Sequence, residues 1–176
     1  MRTLIITDLH LNDKPRGLRL AQKECILKIF RKEKPDEVII MGDVLTHRKP
    51  SPSDLLTLKE VLDELQKTSN VYILRGNHDS ETKADDGVTA LSLFERLNSK
   101  NTVKVITHTW YDEKNKRVFI PHYENEERIK EDLRSVPKGY YMFGHFGYNG
   151  CLNSAGDCDF GISPDCFNTP SFLGHI

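Results

Sequence analysis

Three short apolar runs in the first half of the chain each end in residue types that bind metals or transfer protons. Their polar ends are Asp8-Leu9-His10, Gly42-Asp43 and Gly76-Asn77-His78-Asp79. Parallel strands present their carboxyl ends at one edge of an α/β sheet, where ligands bind. Aspartate, histidine and asparagine gathered at one such edge predict a divalent-metal site.

The runs belong to an alternating order of strands and helices. Strands are predicted at residues 3–7, 37–41 and 71–74. The segment 16–31 carries apolar residues at helical spacing, namely Leu18, Ala21, Cys25, Ile26 and Ile29. A second helix is predicted to begin at an N-cap on Ser53 and to bury Leu55, Leu58, Leu62 and Leu65. This order is typical of a parallel sheet with crossover helices.

Short strands dominate the second half. Thr89 is predicted to cap a short helix that runs through Leu97. Strands are predicted at 103–107, 109–111, 117–120 and 140–143, with a charged amphipathic helix at 125–136. The strands 109–111 and 117–120 form a hairpin. Residues 146–170 are predicted to be an ordered loop with a short turn, after which Phe172-Leu173 stops at Gly174-His175.

Composition indicates one domain, residues 1–176, with 38% hydrophobic residues and a net charge of −1. No signal-peptide core and no run near the roughly 20 apolar residues of a membrane span is present, so a cytoplasmic protein without a membrane segment is expected. The near-neutral charge excludes nucleic-acid coating by bulk charge, although it allows a local basic groove. Cys25, Cys151, Cys158 and Cys166 are expected to be reduced thiols, because the chain is long and carries no export signal. A structural zinc among the last three is the less favoured alternative, since no CxxC spacing occurs.

The three polar motifs, in this order and each after a strand, resemble those of the calcineurin-like metallophosphoesterase superfamily. The resemblance implies an α/β fold in which a two-sheet β-sandwich is flanked by helices, with the metal centre where the strand ends of both sheets meet. The segment FGHFGYNG at 143–150 and the strand end Phe119-Ile120-Pro121 resemble those of SbcD-like DNA repair nucleases. This branch implies a DNA nuclease.

The second half of the sequence allows two assignments of the remaining metal ligands. Family members follow GNH[DE] with a lone histidine and then GHxH, and His108, His122 and His145 compete for the lone position. On the SbcD-like alignment His145 is the lone ligand and the segment 173–176, LGHI, begins GHxH, so the sequence ends inside the last ligand motif. Alternatively, GHFG at 144–147 is a degenerate GHxH and His122 is the lone ligand.

On the first assignment, the resemblance implies two metal ions. Asp8, His10 and Asp43 would hold the first, and Asp43 would share the second with Asn77, His145 and His175. Manganese is favoured, with magnesium, iron or zinc as alternatives. A water between the ions would attack phosphorus in line with the leaving oxygen. His78 would donate a proton to the leaving group or stabilise it, and Asp79 would orient His78.

Basic residues near these motifs form a possible substrate rim. His47 and Arg48, which follow Asp43 in the chain, could contact a substrate phosphate or belong to a solvated loop. Lys14, Arg16 and Arg19 could line the same rim, although surface cations of this kind are usually unrelated to a site. For His108 and His122 the favoured interpretation is packing at strand ends beside the hairpin.

The leading functional prediction is therefore a two-metal phosphodiesterase, a DNA nuclease of SbcD type in repair or recombination. The resemblance implies an SbcC-like ATPase partner, whose binding segment and the capping segment are absent from this sequence, and a possible homodimer. One rival is a phosphatase or phosphodiesterase for small molecules or phosphoproteins. A second rival is a metal-poor interaction module with the same fold.

Overall fold

The computed structural model of this chain describes residues 1–97, 99–152 and 161–175. Its strands are β1 (Thr3–Ile6), β2 (Glu37–Ile40), β3 (Asn70–Leu74), β4 (Val103–Ile106), β5 (Trp110–Asp112), β6 (Arg117–Ile120), β7 (Tyr141–His145) and β8 (Ser171–Gly174). Its α-helices are α1 (Leu18–Glu33), α2 (Pro52–Gln66) and α3 (Glu126–Arg134). Short 3-10 turns lie at Ala90–Phe94 and Pro164–Cys166.

The strands form two four-stranded sheets. Sheet one has the order β1-β2-β3-β4 and is parallel throughout. Sheet two has the order β5-β6-β7-β8, in which only the β5–β6 hairpin is antiparallel. Helices cover the outer face of each sheet, because α1 and α2 contribute to the core against sheet one and α3 to the core against sheet two. The predicted two-sheet sandwich flanked by helices is confirmed.

Strand alternation explains why β2 is buried on both faces. Val38 and Ile40 point into the core beneath α1 and α2, whereas Ile39 and Met41 point into the layer between the sheets. A strand buried on both faces reads as a continuous apolar run, as EVIIM does. The layer between the sheets also contains a row of stacked aromatic rings: Trp110, Tyr72, Phe119, Phe143 and Phe172.

Two local predictions about the first helices were wrong. The N-cap of α2 is Ser51 rather than Ser53: Ser51 and Asp54 form a capping box, and Pro52 occupies the first turn, where its missing N–H costs nothing. In α1 the buried side chains are Ile26, Leu27 and Phe30. Of the residues predicted for its face, Ala21, Cys25 and Ile29 are exposed, because the helix packs along a different stripe.

The second half follows the prediction with smaller shifts. Thr89 caps its helix as expected, but that helix is a 3-10 turn that ends at Phe94 rather than Leu97. Strand β7 extends through His145, which is therefore a residue of the strand and not of the loop after it. Of the predicted loop 146–170, residues 153–160 lie outside the described part of the chain, as does Cys158.

A buried ion triad joins the sheets at the ends of the strands opposite the predicted site. Arg117 of β6 donates to both carboxylate oxygens of Glu37 on β2, at 2.5 and 3.0 Å, and to Asp112 of β5 at 2.6 Å. All three residues are less than a tenth exposed. The triad therefore fixes how sheet one lies on sheet two.

Two further expectations concern the membrane and the cysteines. Among the residues described, no helix is long and apolar enough to cross a bilayer. Among the described residues, Cys25, Cys151 and Cys166 form no disulfide.

Candidate metal centre

The predicted ligands meet at one edge of the sandwich. Strands β1, β2 and β3 of sheet one and β7 and β8 of sheet two end there, and each supplies at least one polar side chain. The predicted metal ligands brought together are Asp8, His10, Asp43, Asn77, His145 and His175. Residues from distant parts of the sequence therefore share one cluster, as the motif order predicted.

The loops that carry these ligands adopt unusual backbone conformations. Asp8, His10, Asp43 and His175 all have positive φ, between 45° and 75°. Non-glycine residues seldom adopt this region, and such strain is concentrated at functional sites. Hydrogen bonds between the loops hold the conformation: the N–H of His10 donates to the carbonyl of Asp43 at 2.9 Å.

Two glycines allow the close packing at this edge. A Cβ on Gly76 would lie 2.1 Å from Asp43 Oδ1, and one on Gly42 would lie 2.3 Å from His145 Nδ1. Gly42 also has φ of +93°, a conformation that favours glycine. Both motifs therefore need glycine because a larger residue would displace a ligand side chain.

The first group of potential ligands is His10, Asp43 and His78, whose nearest ligand atoms all lie within 4.8 Å of one another. His10 Nε2 lies 3.7 Å from Asp43 Oδ2, and His78 Nε2 lies 4.0 Å from the same oxygen. The His78 Nδ1 atom bonds the Thr46 carbonyl at 2.7 Å, which makes Nδ1 the donor and turns Nε2 towards the cluster.

The second group is Asp43, His145 and His175, within the same distance limit. His145 Nε2 lies 3.3 Å from Asp43 Oδ1, while its Nδ1 donates to the carbonyl of Met41 at 2.6 Å. Asn77 Oδ1 lies 3.2 Å from His145 Nε2 and 2.9 Å from His175 Nδ1. Asp43 belongs to both groups, so one carboxylate can bridge two ions.

The chemistry of the donor set fits divalent cations. The Asn77 Oδ1 atom faces only hydrogen-bond acceptors. Turning the amide would let its nitrogen donate to Asp43 at 3.1 Å, whereas a cation bound by Oδ1 would satisfy the carboxylate, the amide oxygen and the imidazoles together. The backbone carbonyls behind His78 and His145 also hold the rings in the tautomer that a metal requires.

Asp43 is the more buried carboxylate of this cluster and is 2% exposed. Burial raises the pKa of Asp43, but the hydrogen bond and charge of His145 outweigh it and lower the pKa to about 2. The same pair acts on His145: burial lowers its pKa, and the bond to Asp43 more than compensates, so the pKa is raised. A metal ion at His145 Nε2 would compete with a proton for the same atom, so metal affinity is expected to depend on pH.

Asp8 lies at the border between the two groups. Its Oδ1 is 3.8 Å from His10 Nε2, and its Oδ2 accepts the backbone N–H of His175 at 3.2 Å and the hydroxyl of Thr7. The carboxylate thus links the loop after β1 to the end of β8. Its side chain is adjacent to the first group although it is not one of that group's three members, so its role as a ligand of the first metal stays a prediction.

Asp79 contacts backbone groups rather than the ring of His78. Its carboxylate is 2% exposed and accepts the backbone N–H groups of Gly76, Val44 and Leu45 at 2.9 to 3.3 Å. The ring of His78 is instead oriented by the Thr46 carbonyl. The Asp79 carboxylate ties together the loops after β2 and β3, and its predicted role in orienting His78 stays a prediction. Burial raises its pKa to about 6 despite the opposing backbone donors.

The predicted substrate rim is only partly available. His47 is exposed, whereas the Arg48 guanidinium donates to the Thr82 carbonyl at 2.7 Å and to Glu124 at 3.2 Å. Arg48 would have to leave these partners to reach a phosphate. Arg19 likewise pairs with Asp54 at 2.8 Å, while Lys14 and Arg16 are exposed.

Sequence reasoning missed the importance of Arg75. This residue is 1% exposed, its Nη2 donates to the carbonyl of His122 at 2.6 Å, and its own carbonyl accepts the N–H of His122 at 2.9 Å. Arg75 therefore joins the end of β3 to the segment after β6, next to the metal cluster. The available signal was a charged residue directly after an apolar run.

The structure favours His145 over His122 as the lone histidine of the family pattern. His145 lies beside Asp43, whereas neither group of potential ligands includes His122, whose ring centroid is 6.4 Å from that of His145. His122 is nevertheless close to the site. Burial, with the charge of His145, lowers its pKa to about 4. His108 is exposed and lies near Gly87.

Comparison with known proteins agrees with this geometry. The chain matches the family model described as "Calcineurin-like phosphoesterase" over residues 1–160. It is also similar to the solved structure of a nuclease MPE from Pseudomonas putida, with a TM-score of 0.50 and 19% identity. That alignment covers 82% of this chain and 59% of the other, and at this identity it shows a shared fold alone. No match was found among curated protein sequences.

The family match includes the predicted ligands from Asp8 to His145, and these are the residues that converge around the bridging Asp43. Both the sequence match and the arrangement of the strand ends therefore lead to the same conclusion. The chain belongs to the calcineurin-like phosphoesterases, a family of metal-dependent hydrolases.

Proposed function

We propose that this protein is a two-metal phosphodiesterase that cleaves DNA, of the SbcD type. The observation that carries the proposal is the pair of potential metal groups that share buried Asp43, the first of which includes His78. The DNA substrate is supported by the resemblance of 143–150 and of Phe119-Ile120-Pro121 to SbcD-like nucleases. The structurally similar Pseudomonas putida protein is also described as a nuclease.

In the proposed assignment, Asp8 and His10 bind the first ion, and Asn77, His145 and His175 bind the second, with Asp43 between them. Two bound divalent ions would neutralise charge on the phosphoryl group and activate water for in-line attack. The ligands lie at the strand ends, and the ring of His145 is also fixed from behind by the carbonyl of Met41, which favours a preformed site.

His78 is the proposed proton donor. Its side chain is 44% exposed, so a substrate can reach the ring, and its Nδ1 is fixed on the Thr46 carbonyl. The Nε2 atom is therefore the one available to hydrogen-bond the leaving oxygen. Asp79 acts as a positioning residue, because it binds the N–H groups of Val44 and Leu45 and so holds the segment that presents Thr46.

The proposed metal is manganese, since mixed carboxylate, amide and imidazole ligands suit it; magnesium, iron and zinc are the alternatives. Metal analysis after dialysis against each ion tests the assignment. About two manganese ions per chain are expected, and less than one ion per chain would instead favour an interaction module with this fold.

Substrate class is tested by assaying single- and double-stranded DNA with manganese, beside p-nitrophenyl phosphate and bis(p-nitrophenyl) phosphate. Cleavage of DNA and of the diester is expected to exceed hydrolysis of the monoester. Hydrolysis of the monoester without DNA cleavage would instead identify a small-molecule or protein phosphatase.

The role of His78 is tested with His78→Asn, and with His108→Asn as the matched control for an exposed histidine outside the cluster. Loss of an acid catalyst lowers turnover about 10²- to 10⁴-fold. His78→Asn should show this loss while it still binds manganese in a calorimetric titration. Turnover equal to that of the control would refute the assignment.

An SbcC-like ATPase partner and a homodimer belong to the same proposal and derive from the family resemblance, whereas the proposed cytoplasmic location derives from the sequence, in which no signal-peptide core was recognised. Sedimentation of the purified chain tests the dimer, and co-purification with a candidate ATPase tests the partner.

A further inference from the structure

Three side-chain donors converge on the backbone carbonyl oxygen of His10. They are the hydroxyl of Thr46 at 2.7 Å, the side-chain amide of Asn12 at 2.8 Å and that of Gln22 at 3.3 Å. A carbonyl oxygen has two lone pairs, which the bonds from Thr46 and Asn12 can fill. Gln22 makes its shorter bond to the adjacent carbonyl of Leu9, at 2.7 Å. We call Asn12, Gln22 and Thr46 the His10 clamp.

The three members of the His10 clamp come from three parts of the fold. Asn12 belongs to the loop after β1, Gln22 to helix α1, and Thr46 to the loop after β2. Asn12 also donates to the Thr46 hydroxyl oxygen at 3.0 Å, and a short β-bridge between Leu11 and Leu45 lies beside this contact. The clamp therefore joins α1 to both of the loops that carry ligands of the first group.

The backbone of His10 needs such support, because its φ is 45°. A non-glycine residue keeps this conformation only where its surroundings over-determine it. The N–H of His10 donates to the carbonyl of Asp43 at 2.9 Å, and the clamp holds the carbonyl of the same residue. Both backbone polar groups of His10 are therefore fixed by other segments.

The ring of His10 is less well held than the rings of the other two histidines near Asp43. The Nδ1 atoms of His78 and His145 bond backbone carbonyls, whereas no such bond to His10 Nδ1 occurs within the described part of the chain. The His10 side chain is also 35% exposed, while that of His145 is fully buried. The direction of the His10 ring therefore depends on its backbone.

A small change in that backbone would matter for metal binding. His10 Nε2 lies 3.7 Å from Asp43 Oδ2 and 3.8 Å from Asp8 Oδ1, which places the nitrogen where the first ion would bind. Coordination tolerates changes of only about 0.2 Å in ligand distance. Groups that hold the His10 carbonyl should therefore affect how tightly the first ion binds.

We propose that Asn12, Gln22 and Thr46 are positioning residues for His10 and determine the affinity of the first metal ion more than that of the second. The inference rests on the proposed two-metal site and adds to it residues that touch neither metal nor substrate. Thr46 also holds the ring of His78 through its backbone carbonyl. Gln22 is therefore the member that tests the clamp without a direct contact to His78.

The first test is Gln22→Met, which removes both amide donors and keeps the length of the side chain. Calorimetric titration with manganese should show two affinities for the unmodified protein, and His10→Asn identifies the one that belongs to the first ion. One net hydrogen bond corresponds to about a three- to tenfold effect. Gln22→Met should weaken the first ion by about this factor and leave the affinity of the second unchanged.

A pair of substitutions at Thr46 tests the hydroxyl. Thr46→Val removes the donor at nearly constant shape, and Thr46→Ser retains it, while both keep the backbone carbonyl that bonds His78. Thr46→Val should weaken the first ion about three- to tenfold, and Thr46→Ser should restore most of its affinity. Equal affinities in the two variants would contradict the role of the hydroxyl and overturn the clamp.

Gln66→Met is the matched control. Gln66 of α2 also donates its amide to a backbone carbonyl, that of Asn101 at 2.6 Å, but at the opposite end of the strands. This variant should bind both ions as the unmodified protein does. A first ion bound equally tightly by Gln22→Met and Gln66→Met would overturn the inference. So would a loss of both ions by the same factor in Gln22→Met, which would indicate a general structural role.

Amide hydrogen exchange of the metal-free protein separates this inference from the proposed function. The His10 amide, which bonds the Asp43 carbonyl, exchanges when the loop opens locally. Gln22→Met should raise its exchange rate about three- to tenfold, and Gln66→Met should not. Fewer than two manganese ions on the unmodified protein would refute the two-metal function, yet faster exchange would still support Gln22 as a positioning residue. Unchanged exchange in Gln22→Met would overturn the inference whether or not metal binds.

Discussion

Replacement of Gly76 by alanine should disrupt the metal centre although Gly76 is not itself a proposed metal ligand. The added Cβ would lie 2.1 Å from Asp43 Oδ1 and 2.3 Å from the Asp43 nitrogen. Because ordinary contact begins near about 3.5 Å, the Cβ and the carboxylate must separate by about 1.4 Å. Both sides of this contact are constrained, since Asp43 is 2% exposed and its Oδ1 accepts the His78 N–H at 2.9 Å.

A displacement of this size exceeds what metal coordination tolerates, which is about 0.2 Å in ligand distance. Asp43 contributes to both potential metal groups, so both ions should be weakened together. We expect Gly76→Ala to lower manganese affinity at least about tenfold and, through misplacement of the reacting groups, turnover of bis(p-nitrophenyl) phosphate by about 10²-fold. Overpacking should also cost about 1–3 kcal/mol of stability.

Gly139→Ala is the matched control. Gly139 has φ of +84° and no atom within 4 Å of its virtual Cβ, so the substitution costs about 1–2 kcal/mol in backbone strain alone. Calorimetry with manganese and urea unfolding of both variants separate the effects. If Gly76→Ala bound manganese as tightly as Gly139→Ala, the proposed role of this close contact would be refuted.

Two further predictions concern stability. Arg117→Ala leaves two buried carboxylates without a partner and should lower the free energy of unfolding, measured in urea, by about 3–5 kcal/mol. Arg96→Ala breaks a pair that is about a third exposed and should lower it by at most about 1 kcal/mol, so similar losses in the two variants would contradict the argument. Burial lowers the pKa of His122 to about 4 in the folded protein, so the unfolded chain binds the proton at a higher pH than the folded one. The free energy of unfolding of the metal-free protein should therefore fall by about 2 kcal/mol between pH 7 and pH 5. His122→Gln should remove that part of the pH dependence, and an unchanged slope would argue against a buried neutral imidazole.

The sequence was most informative where a motif directly follows a strand. A run such as EVIIM, apolar at every position, indicates a strand that is buried on both faces, and its end fixes where Asp43 lies. The same argument applied to the ends of β1 and β3, and so Asp8, His10 and Asn77 were predicted to lie together before any contact was known.

Sequence periodicity was less reliable for α1. Ile26 is buried as predicted, but Ala21, Cys25 and Ile29 are exposed, and the other buried residues of α1 are Leu27 and Phe30. Helix α1 has apolar residues on more than one side, so the packing against sheet one and α2 determines which of them are buried. The cap of α2 was misplaced by two residues because Ser51 and Ser53 flank the same proline.

Roles that depend on distance between remote residues could not be predicted from the sequence. Asp79 is adjacent to His78 in the chain, yet its carboxylate faces the amides of Val44 and Leu45 across the cluster. Arg48 follows a metal motif, yet it is paired with Glu124 from the other half of the protein. In both residues, the partner comes from a loop that only the packing of strands brings near.

The amino-acid sequence alone determined the family motifs, the order of strands and helices, and the residue types available to bind metal. The tertiary structure decided that His145 rather than His122 faces Asp43, and it left His122 at the wall of a separate cavity. The physical reason is that strand order and alternation are local properties of the chain. The distance between two imidazoles on different strands depends on how the two sheets pack.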